Sequence, residues 1–270
     1  MENFDMHVNP FIPINKAEIQ AHIKNKSTEI DIFDTIDSTN NYLKRLFHNN
    51  NNTRICIAET MTQGKGRLNR AWHAPFGQNI YFSQLMSLQK DISELSNLSL
   101  VVSLAVCKSI ETMVNLKQPL RVKWPNDIVV NHSKLSGILI EIKSNINGFC
   151  QIVIGIGINV NMTQVTKNDI SQSWTSLACI TGQTINRNQL CISLINTLED
   201  YINNFMTHGF ACFIKEWELR DILFGKEITL LSGNMEFKGL SMGINKQGHL
   251  LLNINNKLRS FSSGDTTICK

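Results

Sequence analysis

The sequence predicts an α/β protein of the α+β type, in which a mixed sheet with flanking helices precedes a small all-β unit. Apolar residues recur with helical spacing in several segments, and β-branched runs of strand length lie between those segments. Near the C-terminus, short alternating segments are separated by glycine and asparagine turns. We therefore predict an N-terminal arm (residues 1–30), a main domain (residues 31–223) and a small C-terminal β-barrel (residues 224–270).

The composition is that of a globular protein rather than of a collagenous or disordered chain. Of the 270 residues, 42% are hydrophobic and 18% are charged, and 26 basic against 22 acidic side chains give a net charge of +4. The basic excess is small and not densely clustered, so nucleic acid is not predicted as the main partner. Anionic small molecules remain open as ligands.

Cysteine spacing and hydropathy indicate the compartment. The seven cysteines are scattered and form no C-x-x-C pair, which predicts reduced thiols rather than a disulfide framework or a cysteine zinc site. Residues 1–10 contain acidic side chains and no apolar core of a signal peptide, and no apolar run reaches about 18 residues. A cytoplasmic protein without a membrane span is expected.

The first elements alternate between strand and helix. A short amphipathic helix is predicted over residues 16–23, and a strand over residues 30–36 leads into a helix capped within the tetrapeptide DSTN at 37–40. A second strand covers residues 54–59. The glycine-rich, basic segment at 64–72 has no periodicity and is predicted to be a loop.

A third strand and a long helix follow. The strand is predicted over residues 79–85, and Asp91 with Glu94 has the pattern of a capping box that opens a helix. The buried side of that helix is predicted to carry Leu98, Val102 and Ile110, together with Ala105. This amphipathic spacing places the helix against the sheet.

Four β-branched runs then predict the remainder of the main sheet, with antiparallel neighbours. They cover residues 120–124, 128–130, 137–142 and 151–160, and Asn147-Gly148 between the last two is a strong hairpin signal.

Two helices separate these strands from the C-terminal unit. The longer helix opens at Asn188, and the shorter covers residues 213–219. A domain boundary is predicted near residues 223–225, where short strands and regular turns begin, as in a small β-barrel.

The basic loop is a candidate anion site. Gly64-Lys65-Gly66-Arg67-Leu68-Asn69-Arg70 places three cations and two glycines in seven residues. Glycines let the backbone approach an anion closely, and the cations neutralise its charge, but a solvated basic turn would have the same local pattern.

Two further segments carry polar or small residues at strand ends. Residues 121–127 (RVKWPND) offer a cation, an amide and a carboxylate suited to Mg²⁺ or a nucleotide, although a plain Pro-Asn-Asp turn would look the same. Lys134 opens the next strand, where a lone lysine is more often a solvated edge residue. Gly155 and Gly157 interrupt an Ile/Val strand, which marks a bulge or the close approach of a ligand or backbone.

Six segments occur in order along the chain. They are DSTN (37–40), GKGRLNRAW (64–72), PFGQNIYFS (75–83), RVKWPNDIVV (121–130), KLSGILIE (134–141) and VIGIGINVN (153–161). In this order and spacing they resemble the motifs of biotin protein ligases, the biotin–[acetyl-CoA-carboxylase] ligases, over about residues 32–270. The resemblance is to the form without an N-terminal DNA-binding domain.

The resemblance implies a catalytic domain like that of class II aminoacyl-tRNA synthetases, followed by an SH3-like barrel. It implies that biotin and ATP, with Mg²⁺, form biotinyl-5′-AMP, and that biotin is then transferred to a lysine of the biotin carboxyl carrier protein of acetyl-CoA carboxylase. Specific DNA binding is not expected, and a homodimer is compatible with the sequence.

The resemblance also implies residue roles. For biotin they are Ser38, Thr39, Asn40, Met61, Lys65, Gly66, Arg67, Lys134, Gly137, Gly155 and Gly157, with the glycines leaving room for the rings. For the nucleotide they are Arg70, Trp72, which would pack on adenine, Asn126 and Asn159. For catalysis they are Arg67, Lys123, Asp127 and Lys134, with Asp127 also a magnesium ligand.

Four positions depart from the family pattern. Met61 stands where the family has a biotin-contacting glutamine, Lys65 replaces the first arginine of the loop, and Asn69 replaces a later glycine. Cys269 stands at the position of a C-terminal arginine. These departures bear on loop closure and affinity rather than on the class of reaction.

Three alternatives remain beside this interpretation. Lipoate or octanoyl transfer would use a related fold, but its Arg-Arg-x-x-Gly-Gly-Gly signature is absent. A biotin-sensing repressor would need a DNA-binding domain, whereas only about 30 residues precede the main domain. A degenerate protein that binds biotin without turnover is the third.

Overall fold

The computed structural model describes residues 11–46, 53–146, 149–165 and 170–269. The N-terminal arm contains α1 (Lys16–His22). The main domain contains β1 (Glu29–Ile36), α2 (Thr39–Arg45), β2 (Arg54–Met61), β3 (Ile80–Leu88), α3 (Leu98–Met113), β4 (Arg121–Lys123), β5 (Asp127–Val130), β6 (Ser133–Ile146), β7 (Phe149–Ile158), α4 (Leu177–Thr181), α5 (Arg187–His208) and α6 (Ile214–Arg220). It is followed by β8 (Glu227–Ser232), β9 (Met235–Ile244), β10 (Leu250–Ile254), β11 (Lys257–Phe261) and β12 (Asp265–Ile268).

The main sheet has seven strands in the order β1-β2-β3-β7-β6-β5-β4. Only the β1–β2 pair is parallel among these described ladders, and the remaining pairs are antiparallel. This confirms the predicted mixed sheet. Strand β7 lies at its centre between β3 and β6, so residues of β7 are positioned by ladders on both edges.

Helices α3 and α5 cover the sheet and supply much of the core. Apolar side chains of α3 are buried along most of its length, as the amphipathic pattern predicted. The stretch Ile92–Met113 is long and apolar enough to cross a membrane, and 72% of its window is buried inside the protein. Such burial is the pattern of a core helix.

The predicted capping box at Asp91 and Glu94 is wrong. Residues Ile92–Leu95 form a 3₁₀ turn whose Asp91 makes no side-chain cap, and α3 begins separately at Leu98. The start of α3 packs against the turn at Gly248, where an added Cβ would lie 2.8 Å from the Cβ of Asn97. The helix therefore begins beside this tertiary contact at Asn97 rather than at the predicted capping box.

The C-terminal unit is a five-stranded antiparallel sheet in the order β11-β10-β9-β8-β12. Its turns use left-handed backbone at Gly233, Gly248, Asn255 and Asn256, which confirms the turns expected from the sequence. It docks on the main domain through Trp124, whose Nε1 donates to the Gly248 carbonyl at 3.0 Å and whose carbonyl accepts from Thr266 Oγ1 at 3.0 Å. These bonds bring β12 beside the β4–β5 turn.

The N-terminal arm includes the predicted helix, α1, which buries Ile19 and is capped by the Asn15 side chain. It lies against α5, where Lys24 pairs with Asp200. The predicted hairpin turn at residues 147–148 lies outside the described residues. The strands on either side of it, β6 and β7, are antiparallel neighbours.

Candidate active site

One cleft lies over the centre of the main sheet and gathers most of the predicted site residues. It is lined by every one of them except Lys123 and Asn159. Its walls come from the start of α2, the end of β2, the basic loop, the β4–β5 turn, and the facing strands β6 and β7. Segments distant in sequence therefore meet at one site.

The start of α2 supplies hydroxyl and amide groups. Ser38 is the N-cap and accepts a hydrogen bond from the backbone N–H of Asn41 at 3.4 Å. Asp37, just before it, pairs with Arg45, and this bond holds the pKa of the Asp37 carboxyl at about 2. The ion pair spans the helix and fixes its first turn, which presents Thr39 and Asn40 to the cleft.

Thr39 and Asn40 belong to a buried polar cluster. Ser83 on β3 is fully buried, and its Oγ lies 2.5 Å from Asn40 Oδ1 and 2.7 Å from Thr39 Oγ1. Asn40 Nδ2 donates to Glu141 Oε2 at 2.8 Å, and Lys44 Nζ donates to the other Glu141 oxygen at 2.7 Å. Thr39 Oγ1 also lies 3.7 Å from Met61 Sδ.

The glycines in β6 and β7 leave room for protein side chains. A Cβ on Gly155 would lie 2.2 Å from Asn40 Oδ1, and a Cβ on Gly157 would lie 2.5 Å from the Trp72 ring. A Cβ on Gly137 would lie 3.0 Å from the same ring. Asn40 and Trp72 lie over these glycines, and the expectation that the glycines leave room for biotin rings stays a prediction.

The basic loop folds back on itself. Trp72 N–H donates to the Gly64 carbonyl at 2.9 Å, and Gly66 N–H donates to the Arg70 carbonyl at 2.8 Å. Leu68 and Asn69 have left-handed backbone, with φ of 53° and 57°. Asparagine adopts this conformation more readily than most residues, which explains how Asn69 substitutes for a glycine.

Two arginines of the loop are held by the C-terminal sheet. Arg67 donates to the Gly264 carbonyl at 3.1 Å and pairs with Asp265 at 3.3 Å, and Arg70 pairs with the other Asp265 oxygen. Lys65, between the glycines, is exposed. The loop is thus anchored at its C-terminal half and bears an exposed cation at its N-terminal half.

Lys134 and Asp127 form an ion pair of 2.7 Å in the wall of the cleft, and their side chains are only 17% and 18% exposed. Lys134 Nζ lies 5.4 Å from the Trp72 ring centroid, within cation–π range. The cation is therefore preorganised beside Gly137 and is not a solvated edge residue.

Lys123 and Asn159 are the two predicted site residues that do not line the cleft. Burial, helped by the nearby charge of Lys134, lowers the pKa of Lys123 against the opposing effect of Asp127. Asn159 uses its amide to hold the carbonyls of Lys134 and Thr175 at 3.3 and 3.0 Å. In this state Asn159 positions the backbone of Lys134 from outside the cleft.

Asn126 lines the cleft but is also a backbone clamp. The side-chain Nδ2 donates to the Ile138 carbonyl at 2.6 Å. The backbone carbonyl of Asn126 accepts from the Ile138 N–H at 3.1 Å. Its Oδ1 faces Arg67 at 3.5 Å. The amide thus joins the β4–β5 turn to β6 and leaves an oxygen toward the loop.

Sequence reasoning missed four residues of this site. Ser83 and Glu141 complete the polar cluster, Asp265 holds the loop, and Gln172 lines the cleft. Glu141 carried a weak signal, because it is a charged residue in an otherwise apolar strand run. Ser83 ends one of the six motif segments but was assigned no role there, and Gln172 carried no signal. Asp265 carried none because its partners Arg67 and Arg70 are nearly 200 residues away.

The cleft offers few protein donors to a magnesium ion. Asp127 and Asp265 are the carboxylates lining it within the described ranges, and both are paired with cations. No group of three or more His, Cys, Asp or Glu side chains suited to a metal occurs among those residues. The donors fit an ion held mainly by phosphate oxygens, with one carboxylate from the protein.

Comparison with known proteins agrees with this arrangement. A model of the biotin/lipoate A/B protein ligase family matches residues 32–159, and one of the biotin protein ligase C-terminal domain matches residues 223–266. The bifunctional ligase/repressor BirA of Escherichia coli (strain K12) is 33% identical over 259 residues, covering 96% of this chain and 79% of that protein. The chain belongs to the biotin protein ligase family.

Other members of the biotin protein ligase family extend the likeness. The biotin–[acetyl-CoA-carboxylase] ligase of Mycobacterium tuberculosis is 28% identical over 214 residues, which cover 78% of this chain and 77% of that protein. The biotin protein ligase of Aquifex aeolicus, solved in complex with biotin and ATP, superposes with a TM-score of 0.77 at 27% identity. That match covers 90% of this chain and 99% of the other, so the mixed sheet and the C-terminal sheet together are the fold of the family.

Proposed function

We propose that this protein is a ligase that joins biotin to a carrier protein in two steps. Biotin and ATP first give biotinyl-5′-AMP and pyrophosphate. A lysine amine of a biotin carboxyl carrier protein then attacks the mixed anhydride and releases AMP. The observation that carries the proposal is one cleft with a neutral polar end and a cationic end, in a chain whose relatives are biotin ligases.

The two ends are set by the spacing of β7. Asn40 and its partners lie over Gly155, whereas Trp72 and Lys134 lie around Gly157 and Gly137, which are paired in register. Two residues along a strand correspond to about 7 Å. A ligand with a polar ring at one end and a carboxylate at the other fits this separation.

The cationic end is suited to the first step. As the biotin carboxylate attacks the α-phosphorus, negative charge grows on phosphate oxygens, and fixed donors in a partly buried site stabilise it. Lys134, Arg67 and Arg70 supply such donors. Lys65, exposed on the same loop, is placed to close over the bound carboxylate and phosphate.

Mg²⁺ bound with ATP would neutralise phosphate charge, and Asp127 is the residue we assign to it. Lys134 now holds that carboxylate, so nucleotide binding must loosen the Lys134–Asp127 pair. The residues that line the Trp72 side of the cleft would then contact the adenosine part of the nucleotide.

The acceptor and the compartment follow from the same proposal. Relatives named biotin–[acetyl-CoA-carboxylase] ligases support a biotin carboxyl carrier protein as the acceptor. All seven cysteines are free thiols, which supports a cytoplasmic location. Two further points stay predictions: that the protein does not bind an operator, and that it can form a homodimer.

The decisive experiment is ATP–pyrophosphate exchange with biotin, with lipoate or without either acid. Exchange is expected with biotin alone, followed by labelling of a single carrier lysine when the carrier domain is added. Exchange supported by lipoate and not by biotin would overturn the proposal. Biotin binding without exchange would instead identify a binding protein.

A further inference from the structure

Glu141 lies at the end of the polar cluster of Thr39, Asn40 and Ser83, and no role for it follows from the reaction just described. Its carboxylate is two-thirds buried, with 32% of the side chain exposed, and is paired with Lys44. Neither group lines the cleft. This ion pair can therefore act on a ligand only through the residues that line the cleft.

Glu141 fixes the orientation of the Asn40 amide, and through a chain of hydrogen bonds it also fixes which neighbouring groups donate and which accept. A carboxylate only accepts, so the atom of Asn40 that faces Glu141 at 2.8 Å must be the amide nitrogen. This fixes the amide flip, and Asn40 Oδ1 must face Ser83. An amide oxygen carries no hydrogen, so the proton of Ser83 is committed to Asn40.

The position of the Ser83 proton also determines the role of Thr39. Ser83 Oγ has one proton, which is already donated, and it lies 2.7 Å from Thr39 Oγ1. That contact is a hydrogen bond only if Thr39 donates to Ser83. A second acceptor within reach of the Thr39 proton is the Met61 sulfur, to which Thr39 Oγ1 donates at 3.7 Å. In either arrangement the protein holds the Thr39 proton, and Thr39 presents its lone pairs to the cleft.

Ser38 has the opposite character. Its Oγ accepts from the Asn41 N–H, and its own proton has no acceptor among the residues that the structure describes. The polar end of the cleft therefore offers an acceptor at Thr39 and a donor at Ser38, both nearly buried. A cyclic urea, which has N–H donors flanking a carbonyl, complements this pair.

We propose that Glu141, acting through Asn40 and Ser83, makes Thr39 a hydrogen-bond acceptor and thereby selects ligands whose ring carries N–H donors. Glu141 is a positioning residue and touches no ligand. The inference rests on the proposed function, because it concerns the head group of the same substrate. On the same ground, the site should reject a dithiolane ring, which has no donor to offer.

The test compares the dissociation constants of biotin and of its two cyclic carbamate analogues, in each of which one ring N–H is replaced by oxygen. Calorimetry would be performed on the wild type, Glu141→Gln and the matched control Glu111→Gln. Glu111 is similarly exposed, at 34%, and pairs with Arg220 at a distant surface. Thermal unfolding would establish that each variant is folded.

The wild type is expected to bind at least one carbamate about tenfold or more weakly than biotin, because a buried acceptor then faces an oxygen. In Glu141→Gln the Asn40 amide is free to flip, so the ratio of the carbamate dissociation constant to that of biotin should fall to about three or less. Glu111→Gln should keep the ratio of the wild type. Ser83→Ala, which interrupts the chain and leaves Glu141 intact, should lower the ratio in the same way.

The outcomes separate the two proposals. If the wild type does not bind biotin, the proposed function fails. If the wild type binds biotin with the expected ratio and folded Glu141→Gln and Ser83→Ala both keep it, only the inference about Glu141 is overturned. Equal weakening of biotin and carbamate in both variants would also overturn it, because a merely structural defect lowers both affinities together.

Discussion

Single residues in this site owe their identity to neighbours from other strands. Gly155 is small because Asn40 Oδ1 occupies the volume of its missing Cβ, and Gly157 is small because Trp72 does the same. Asn69 is tolerated in place of a glycine because asparagine accepts left-handed backbone. Met61 lies near Thr39 but offers only a weak sulfur acceptor, so hydroxyls and an amide dominate the polar end.

Lys134→Met is expected to lower the rate of biotin-dependent ATP–pyrophosphate exchange by about 10²–10³-fold, the usual effect of losing one preorganised donor. Its partner Asp127 would lose its cation, so a modest fall in melting temperature should accompany the loss. The control is Lys108→Met on the exposed side of α3. Near-normal exchange by a folded Lys134→Met protein would return this lysine to a structural role.

Asp37 gives a pH prediction at the same scale. Its pKa is lowered from 3.8 to about 2 by Arg45, so the pair stabilises the fold above about pH 4, and this contribution is lost as the pH falls through 2. Asp37→Asn should therefore be less stable than the wild type at neutral pH, and the difference should shrink below pH 4. Urea unfolding at several pH values measures this, and a difference independent of pH would contradict it.

At the scale of elements, the basic loop is held differently from the strands around it. It closes on itself through three backbone hydrogen bonds, and its arginines reach Asp265, which lies nearly two hundred residues further along the chain. The loop is therefore held by a side-chain anchor from another sheet rather than by a strand ladder. Its closure depends on that anchor and on the ligand.

Asp265→Asn is expected to loosen this loop in the free protein. Losing the charged acceptor of Arg67 and Arg70 should speed hydrogen exchange at the amides of Gly66 and Trp72 by about tenfold. Biotin with ATP should restore protection, because phosphate oxygens replace the carboxylate. Asp200→Asn, which breaks an exposed pair with Lys24, is the control. Unchanged exchange in Asp265→Asn would show that the backbone bonds alone hold the loop.

At the scale of the whole molecule, a buried ion pair connects the arm to β2 and to α5. Glu59 on β2 and Arg187 at the start of α5 pair with side chains only 1% and 4% exposed. Glu59 also accepts from Ile14 N–H, and Arg187 donates to the Ile12 carbonyl. The pair therefore fixes the arm beside β2. Its member Glu59 lies two residues before Met61, which lines the cleft.

Arg187→Met should lower the free energy of unfolding by about 3–5 kcal/mol, because it leaves Glu59 charged and buried without a partner. The double variant Glu59→Gln/Arg187→Met should recover part of that loss, since the uncompensated charge is gone. Urea unfolding measures both, and limited proteolysis should cut the arm faster in the single variant. A double variant that is less stable than the single one would contradict this account.

The sequence by itself determined the element types and the order of the motifs. A β-branched run specified β7, alternating side chains specified β3, Ser38 marked the start of α2, and the glycine-rich basic segment specified a loop, because each depends on neighbours within a few residues. Only the tertiary structure decided that Asn40 meets Glu141, that Lys134 pairs with Asp127, and that Asp265 holds Arg67 and Arg70. The first and third of these contacts join residues about 100 to 200 positions apart, and the second joins the two sides of a turn. They depend on β7 lying between β3 and β6 and on β12 docking beside the β4–β5 turn. Strand order and domain docking are set by the packing of the whole core, which no local pattern encodes.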